Sequence, residues 1–547
     1  MRLRTTSKHL FFLTSLLSCL LAPQYTDAQV FQKDCNPDTL LIDTSGHAIN
    51  WQQFPDFQLP FTIVYHGEVP LDSTAWPLIK GFSHIDGRGL PYRDTIWPNQ
   101  RAYNWTGIAN ADNWAYNTSQ PWRMIKSPWE NDIQGYRERW DHRFDVILSR
   151  YKYQPPAGQF AIDLVIADLE WAFHSDEGML SIKNDPLVPL YYQNLTDEEF
   201  IASYKKDMSL LYAESLRYAK DSLHSSTKIS SYAEVPVRRT WWTIDDTTWQ
   251  SWITDSSRVD YLMEDSSGFM NSVFYNFHDI ICPSVYYFYN VDSVPIGKKY
   301  LAYNLFQSEV NAVWSDKDQL VYCWLNYHGS GSHLPIKLWM SEATAIFPLM
   351  SGSVGVYPWK PVQPQGYDSY EYFIKGLYRL SQFNDFFDGD EIYVNPLSAH
   401  ECFVNDLPIW RGVVNGYNIL IVAHNPFANP SDTTLVPVAY GAWSDTIALI
   451  GTEVFLCKFD MWYVGAPESP KVQEVKVYPN PTSGLLHISS GEKISYINLI
   501  ELNGKITSLQ SPDNQYSTID ISKFPVNTYV IEIVTKNRVY YKKIVKN

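Results

Sequence analysis

The sequence predicts an α/β fold: a (β/α)8 TIM-like barrel, then a small β-sandwich, then an Ig-like β-sandwich. Three observations predict it. Strand-like apolar runs alternate with helix-like segments from 58 to 390, the pattern of repeated β-α units. One of those runs, F-A-I-D-L-V-I-A-D-L-E-W-A-F (160–173), is nearly all apolar, as in a strand buried on both faces, and ends in two acids. From 391 onward the pattern changes to short strands without long helices.

The chain opens with an expected export signal, 1–28. Arg2, Arg4 and Lys8 precede a short apolar core, and cleavage is expected after Ala28. That core is too short to favour a membrane span. Leu16 to Cys19 also resembles a bacterial lipoprotein box, which ranks second. An N-terminal segment, 29–57, comes next.

Within the barrel the predicted strands are F-T-I-V-Y-H-G (61–67), I-K-G-F-S-H-I (79–85) and the acidic run. K-I-S-S-Y-A-E-V-P (228–236), I-I-C-P-S-V-Y-Y-F-Y (280–289), Q-L-V-Y-C-W-L-N-Y-H (319–328) and S-V-G-V-Y-P-W (353–359) complete seven. The eighth is expected in the early region. There, 88–130 has no period and reads as a long loop over the cleft. Helices are expected at 141–153, 196–223, 266–278, 298–316, 335–350 and 369–387. Thr196 and Glu199 form a candidate capping box at the start of the second.

The remaining boundaries are a β-sandwich at 391–465, a linker at 466–473 and a final domain at 474–547. Cys35, Cys282, Cys323, Cys402 and Cys457 remain after signal cleavage. Their odd number and wide spacing make no disulfide framework and no zinc pattern. Cys282 and Cys323 are expected in the core, and Cys402 with Cys457 as a pair.

A formal net charge of -16 argues against nucleic acid. The 20 Trp and 38 Tyr suit a carbohydrate cleft, whose walls need flat apolar faces with polar tips. On a strand, residues two apart share a face. Ile162, Leu164, Ile166, Asp168 and Glu170 would therefore line the barrel interior and turn acidic at its C-terminal rim. There barrel enzymes place their chemistry. Asp168 and Glu170 would hold their stems roughly 6 to 7 Å apart. Two acids that close, with apolar walls, resist ionising together, so one keeps its proton and can donate it to a leaving oxygen. Both approach from one side, which favours cleavage assisted by an N-acetyl group of the sugar. Glu234 is the candidate partner in a two-carboxylate mechanism, or a rim residue that contacts substrate. His174, Asp176 and Glu177 match no metal-ligand spacing, so no metal and no cofactor are expected. The G-S-G-S-H loop (329–333) is expected to cover the cleft.

Two resemblances extend this reading. The tail, with V-Y-P-N-P-T-S-G-L-L-H-I (477–488), resembles the C-terminal sorting domain of the Bacteroidetes type IX secretion system. That implies export to the cell surface or beyond, with the secretion machinery as a partner. The barrel resembles the hyaluronidase family of glycoside hydrolases. Its D-W-E strand is matched by D-L-E here, and P-S-V-Y (283–286), the Tyr before a Pro in S-Y-A-E-V-P and G-V-Y-P-W agree. The resemblance implies Glu170 as proton donor and Asp168 as the group that orients the acetamido. Tyr232, Tyr286 and Trp359 would lie in the site. Trp171, Tyr357 and Glu234 join them as candidate substrate-binding residues. A chitinase-type barrel is the nearest rival and gives Glu170 the same role, but Ile166 stands where its motif needs Asp. The expected partner is a polysaccharide with N-acetylated sugars. The negative charge weighs against a polyanion such as hyaluronan. A glycosidase on neutral glycans and a non-catalytic glycan-binding surface protein are the alternatives. A monomer is expected.

Overall fold

Eight short strands build the larger part of the protein, and each lies parallel to its neighbours. In a computed structural model the described residues are 33–35, 40–43, 46, 48–67, 69–70, 75–86, 100–106, 162–169, 172–186, 188–223, 225–238, 240–264, 270–329, 333–359, 366–461, 475–480, 482–501, 506–510, 514–535 and 539–546. The strands are β1 (Thr62–Tyr65), β2 (His84–Asp86), β3 (Arg101–Thr106), β4 (Leu164–Asp168), β5 (Lys228–Ser231), β6 (Ile280–Ile281), β7 (Asp318–Cys323) and β8 (Gly355–Pro358). They run in the order β5-β4-β3-β2-β1-β8-β7-β6. A parallel bridge between Tyr232 and Cys282 joins the two ends, and the Ala233 amide donates to the Cys282 carbonyl at 3.0 Å. The sheet is thus closed, and the C-terminal ends of all eight strands gather at one mouth.

The eighth strand is β3, inside the region expected to be a loop. It carries no apolar run to betray it: Ala102 and Asn104 are its buried inward positions, one small and one polar. Close approach of strands also demands small residues. A Cβ at Gly355 would lie 2.0 Å from the Thr62 carbonyl oxygen, so β8 can start there only with glycine.

The period-two reading of β4 holds from Leu164 on. Leu164 and Ile166 join the barrel interior with Val64, Ala102, Ile280, Cys282 and Leu320. Val165, Ala167 and Leu169 face outward into a cluster with Tyr204, Met208, Tyr212 and Leu216. Each fully buried side chain of the larger kind contributes about 1.5–3 kcal/mol. Ile162 departs from expectation and packs in the outer cluster, because it precedes the strand and is not bound by its alternation. The outer residues meet the helix α1 (Asp197–Ser222). It starts at the expected capping box, with Thr196 accepting from the Glu199 amide and Glu199 from that of Thr196. The other expected helices are found at Val273–Phe277, Tyr300–Trp314, Leu338–Met350 and Tyr367–Ser381. The segments 1–28, 141–153 and 466–473 lie outside the described residues.

The same compact unit, Met1–Met461, contains a second layer. Strands Ile392–Val394, Ile409–Asn415, Asn418–His424 and Val454–Asp460 form an antiparallel sheet, and Lys33–Asp34 adds a fifth strand beside Val454–Asp460. A hairpin, Thr433–Tyr440 with Trp443–Ile450, covers it, with Trp443 against Phe459. The pairing of Asp34 with Lys458 sets Cys35 opposite Cys457, and these two form the disulfide. The expected Cys402–Cys457 pair is therefore wrong. Cys402 sits free and buried on a helix in the barrel-side core. The second unit, Trp462–Asn547, is a six-stranded antiparallel sheet. Its long strand Leu485–Glu501 pairs with four others. Its core is mostly aliphatic, from Leu486 and Ile488 to Ile533 and Ile544, with the buried ring of Tyr529 among them.

Candidate active site

The mouth of the barrel is lined by residues at or just past the C-terminal ends of its strands. His66 comes directly after β1, β2 ends in Asp86, β3 carries Asn104, β4 ends in Asp168, and Tyr232 comes directly after β5. Ser284 and Tyr286 lie just past β6, β7 carries Tyr322, β8 carries Tyr357, and Trp359 comes directly after β8. These form a cup of aromatic rings around buried acids. Tyr322 lies at its centre, with ring centroids 4.4 Å from Tyr357, 5.0 Å from Tyr232 and 6.4 Å from Trp359. Tyr232 is 5.9 Å from Tyr286, and His66 is 4.8 Å from Trp359.

The hydroxyls tie this cup together. Tyr232 Oη and Ser284 Oγ lie 2.8 Å apart, and Asn104 donates to Tyr322 Oη at 3.0 Å. Tyr357 donates to Asp86, whose carboxylate also lies 3.8 Å from His66 Nδ1. Asp86 and Asp168 are 1% and 6% exposed, respectively. Burial pushes the phenols of Tyr286 and Tyr322 far above their usual range. The nearby Asp168 charge adds to both, and Asp86 to that of Tyr322. The tyrosines stay protonated at neutral pH and remain hydrogen-bond donors.

Of the sequence-predicted site residues, the structure brings together Asp168, Tyr232, Tyr286, Tyr357 and Trp359. Glu170 and Trp171 lie outside the described residues. The backbone on both sides of them is clamped by tyrosines. Tyr212 Oη donates to the Leu169 carbonyl and accepts from the Ala172 amide at 2.9 Å. Tyr204 accepts from the Phe173 amide at 2.9 Å, and Tyr261 donates to the Phe173 carbonyl at 3.2 Å.

Glu234 goes elsewhere. Tyr232 and Ala233 both join the interior cluster, because Ala233 has the left-handed φ of 59° and breaks the alternation. Glu234, fully buried, pairs with Arg238 Nη1 at 3.0 Å in a knot behind the mouth. His174 Nδ1 lies 2.5 Å from Asp260 in that knot, and Arg238 reaches the same imidazole. The acids and His174 are close enough to suggest a metal cluster, their ligand atoms lying within 4.8 Å of one another. The guanidinium already supplies the positive charge there. Burial works against that charge, but Glu234 and Asp260 outweigh it and raise the Arg238 pKa. Asp176 and Glu177 do not join: they sit in the exposed first turn of Asp176–Leu180.

Sequence reasoning missed His66, Asp86, Asn104 and Tyr322. Asp86 was one residue beyond the predicted end of its strand, and His66 and Tyr322 lay inside predicted strands. Their signal was position alone, at the C-terminal ends. Asn104 had none, since its strand was not recognised.

No curated protein matches the chain. Among solved structures, bee venom hyaluronidase in complex with a hyaluronic acid tetramer is similar at 15% identity. It covers 48% of this chain and 75% of its own, with a TM-score of 0.31. The α-amylase from Geobacillus thermoleovorans, complexed with acarbose, is 9% identical over 66% of this chain and 75% of its own, with a TM-score of 0.31. A double mutant of the Cellulomonas fimi endo-β-1,4-mannanase is 11% identical over 89% and 94%, with a TM-score of 0.26. The barrel stands on its own strand pairing. Residues 476–547 match the family described as secretion system C-terminal sorting domain, which marks the protein for export, to the cell surface or beyond it.

Proposed function

We propose that the barrel is a glycoside hydrolase acting outside the cell on a polysaccharide with N-acetylated sugars. The observation that carries this reading is the position of Asp168: a buried carboxyl group at the C-terminal end of a barrel strand, within a cup of tyrosines and a tryptophan. Aromatic faces suit the apolar C–H faces of a sugar ring, and phenol donors suit its hydroxyls.

In this mechanism Asp168 accepts the N–H of the acetamido group and turns its carbonyl oxygen toward the anomeric carbon. That oxygen forms the new C–O bond as the glycosidic bond breaks. Glu170 gives its proton to the leaving oxygen. Water then adds at the anomeric carbon, Glu170 takes the proton back, and the acetamido group is restored. Tyr204, Tyr212 and Tyr261 hold the backbone at 169 and 172–173, on either side of Glu170 in the chain. Asp86 favours a second reading. It is a buried acid at the same mouth, and it makes Asp86 with Asp168 the candidate pair for a two-carboxylate cleavage of neutral glycans.

The test is reducing-end release by the exported chain from chitin oligomers, chondroitin, hyaluronan and neutral plant glycans. Glu170→Gln and Asp168→Asn should each lower kcat about 10²- to 10⁴-fold on N-acetylated substrates. Full activity in Glu170→Gln removes the assignment of the acid. Cleavage confined to neutral glycans and lost in Asp86→Asn selects the second reading. Binding without turnover leaves a glycan-binding surface protein.

A further inference from the structure

A line of rings leaves the cup and runs to the surface. Tyr286 stacks on His328 with centroids 5.7 Å apart and an interplanar angle of 26°. His328 meets Phe288 at 5.3 Å, and Phe288 meets Trp242 at 4.9 Å. Trp242 ends the line and is 58% exposed. Single exposed apolar side chains are ordinary, but this one terminates a continuous aromatic track.

The track has a rigid base. Trp241, beside Trp242 in the chain, is 2% exposed and packs edge-on against Tyr303 at 4.7 Å. It also lies 6.2 Å from Phe288. The turn that displays Trp242 is thus pinned by its neighbour. The loop after β7 comes close enough to complete the track because Gly329 has no side chain. A Cβ there would meet the Phe288 carbonyl oxygen at 2.5 Å. A pinned, solvent-facing indole at the end of rings that begin in a sugar-binding cup is built for a chain, not for a single sugar.

We infer that Trp242 is an outlying sugar-stacking site. The ligand is a linear oligosaccharide whose one end occupies the cup and whose further units lie along His328 and Phe288 to Trp242. This rests on the glycan reading of the cup. It deepens that reading by making the substrate a chain long enough to reach the indole.

The test is calorimetric binding of dimers and hexamers. The probes are N-acetylglucosamine, cello-, xylo- and manno-oligosaccharides, and the protein is the whole chain carrying Glu170→Gln. With Trp242→Ala added, hexamer affinity should fall about three- to tenfold, and dimer affinity should stay within about twofold. Trp242→Phe should recover most of the loss. An equal loss for dimer and hexamer makes Trp242 a structural support and overturns the inference. So does an unchanged hexamer affinity. An unsubstituted chain that binds oligosaccharides without ever cleaving them removes the catalytic reading and leaves the track standing. A parent chain that binds none of them removes both.

Discussion

The mouth of the barrel and the knot behind it both bury carboxyl groups, yet they satisfy them by different means. In the knot, Glu234 meets the Arg238 guanidinium, and Asp260 meets His174. In the mouth, Asp86 accepts from Tyr357 and faces the His66 imidazole, and Asp168 lies beside Tyr286 and Tyr322. A buried acid held by a cation is committed, since removing either partner strands a charge. An acid held by phenol donors can trade one donor for another, and the polar groups of a sugar are such donors. The comparison teaches that depth and acidity alone do not mark a reactive group. What surrounds the acid does.

Two substitutions should cross over. Arg238→Met leaves Glu234 and Asp260 buried without their cation and should cost about 3–5 kcal/mol in urea unfolding. Asp168→Asn should unfold within about 1 kcal/mol of the parent while losing turnover. Equal stability losses in the two variants would erase the distinction between the regions.

Acid sharpens it further. Asp260 is pushed up by burial, but His174, Arg238 and the Leu262 amide outweigh that and leave it below its usual value. Its stabilising contribution is present above the unfolded carboxyl pKa and is lost as pH falls through its lowered folded value. Two buried histidines lose stability first: His424, whose pKa burial lowers from 6.5 to about 4, and, over a wider range, His278 beside Ser231 of β5. Burial lowers the His278 pKa from 6.5 to about 3. Its Nδ1 bonds the Phe274 carbonyl and its Nε2 the Ser231 hydroxyl, a neutral imidazole with both nitrogens used. Between these two pKa values the unfolded chain binds the extra proton. This contribution of His278 is therefore full above about pH 6.5 and falls as pH drops toward about 3, by up to about 5 kcal/mol. Unfolding midpoints from pH 7 to pH 4 should decline, and His278→Asn should make the slope shallower while His424 keeps part of it. A flat profile in the parent contradicts this.

A smaller change in turnover is expected at the clamp. Tyr212→Phe strands the Leu169 carbonyl and the Ala172 amide and should cost about 1–3 kcal/mol. A loss of kcat beyond the loss of folded protein, at unchanged KM, would show that the clamp positions the acidic segment.

Much of this was legible in the chain. Strand-like segments alternating with helices announced seven strands, and Thr196 with Glu199 announced a helix start. Those are local signals, and local chemistry decided them. What stayed hidden was non-local or unperiodic. R-A-Y-N-W-T reads as nothing in particular, because its inward residues are an alanine and an asparagine. The partner of Cys457 is 422 residues away, and only the pairing of Lys33–Asp34 brings it near. In the candidate site, the aromatic and acidic members of the known strands could be named from strand ends. Asp86 escaped by one residue. Glu234 was misjudged because a single left-handed alanine turned it to the other side, and no pattern of two or of 3.6 encodes that.

The bridge from Cys35 to Cys457 has a consequence outside the cell. It fastens the segment that enters the barrel unit to the last strand before the chain passes into the sorting unit. Tension pulling on the tail, or an exopeptidase trimming the front, meets a covalent stop before the outer sheet can peel away. A protein sent outside the cell would carry its own hem, sewn where a folded chain first begins to fray.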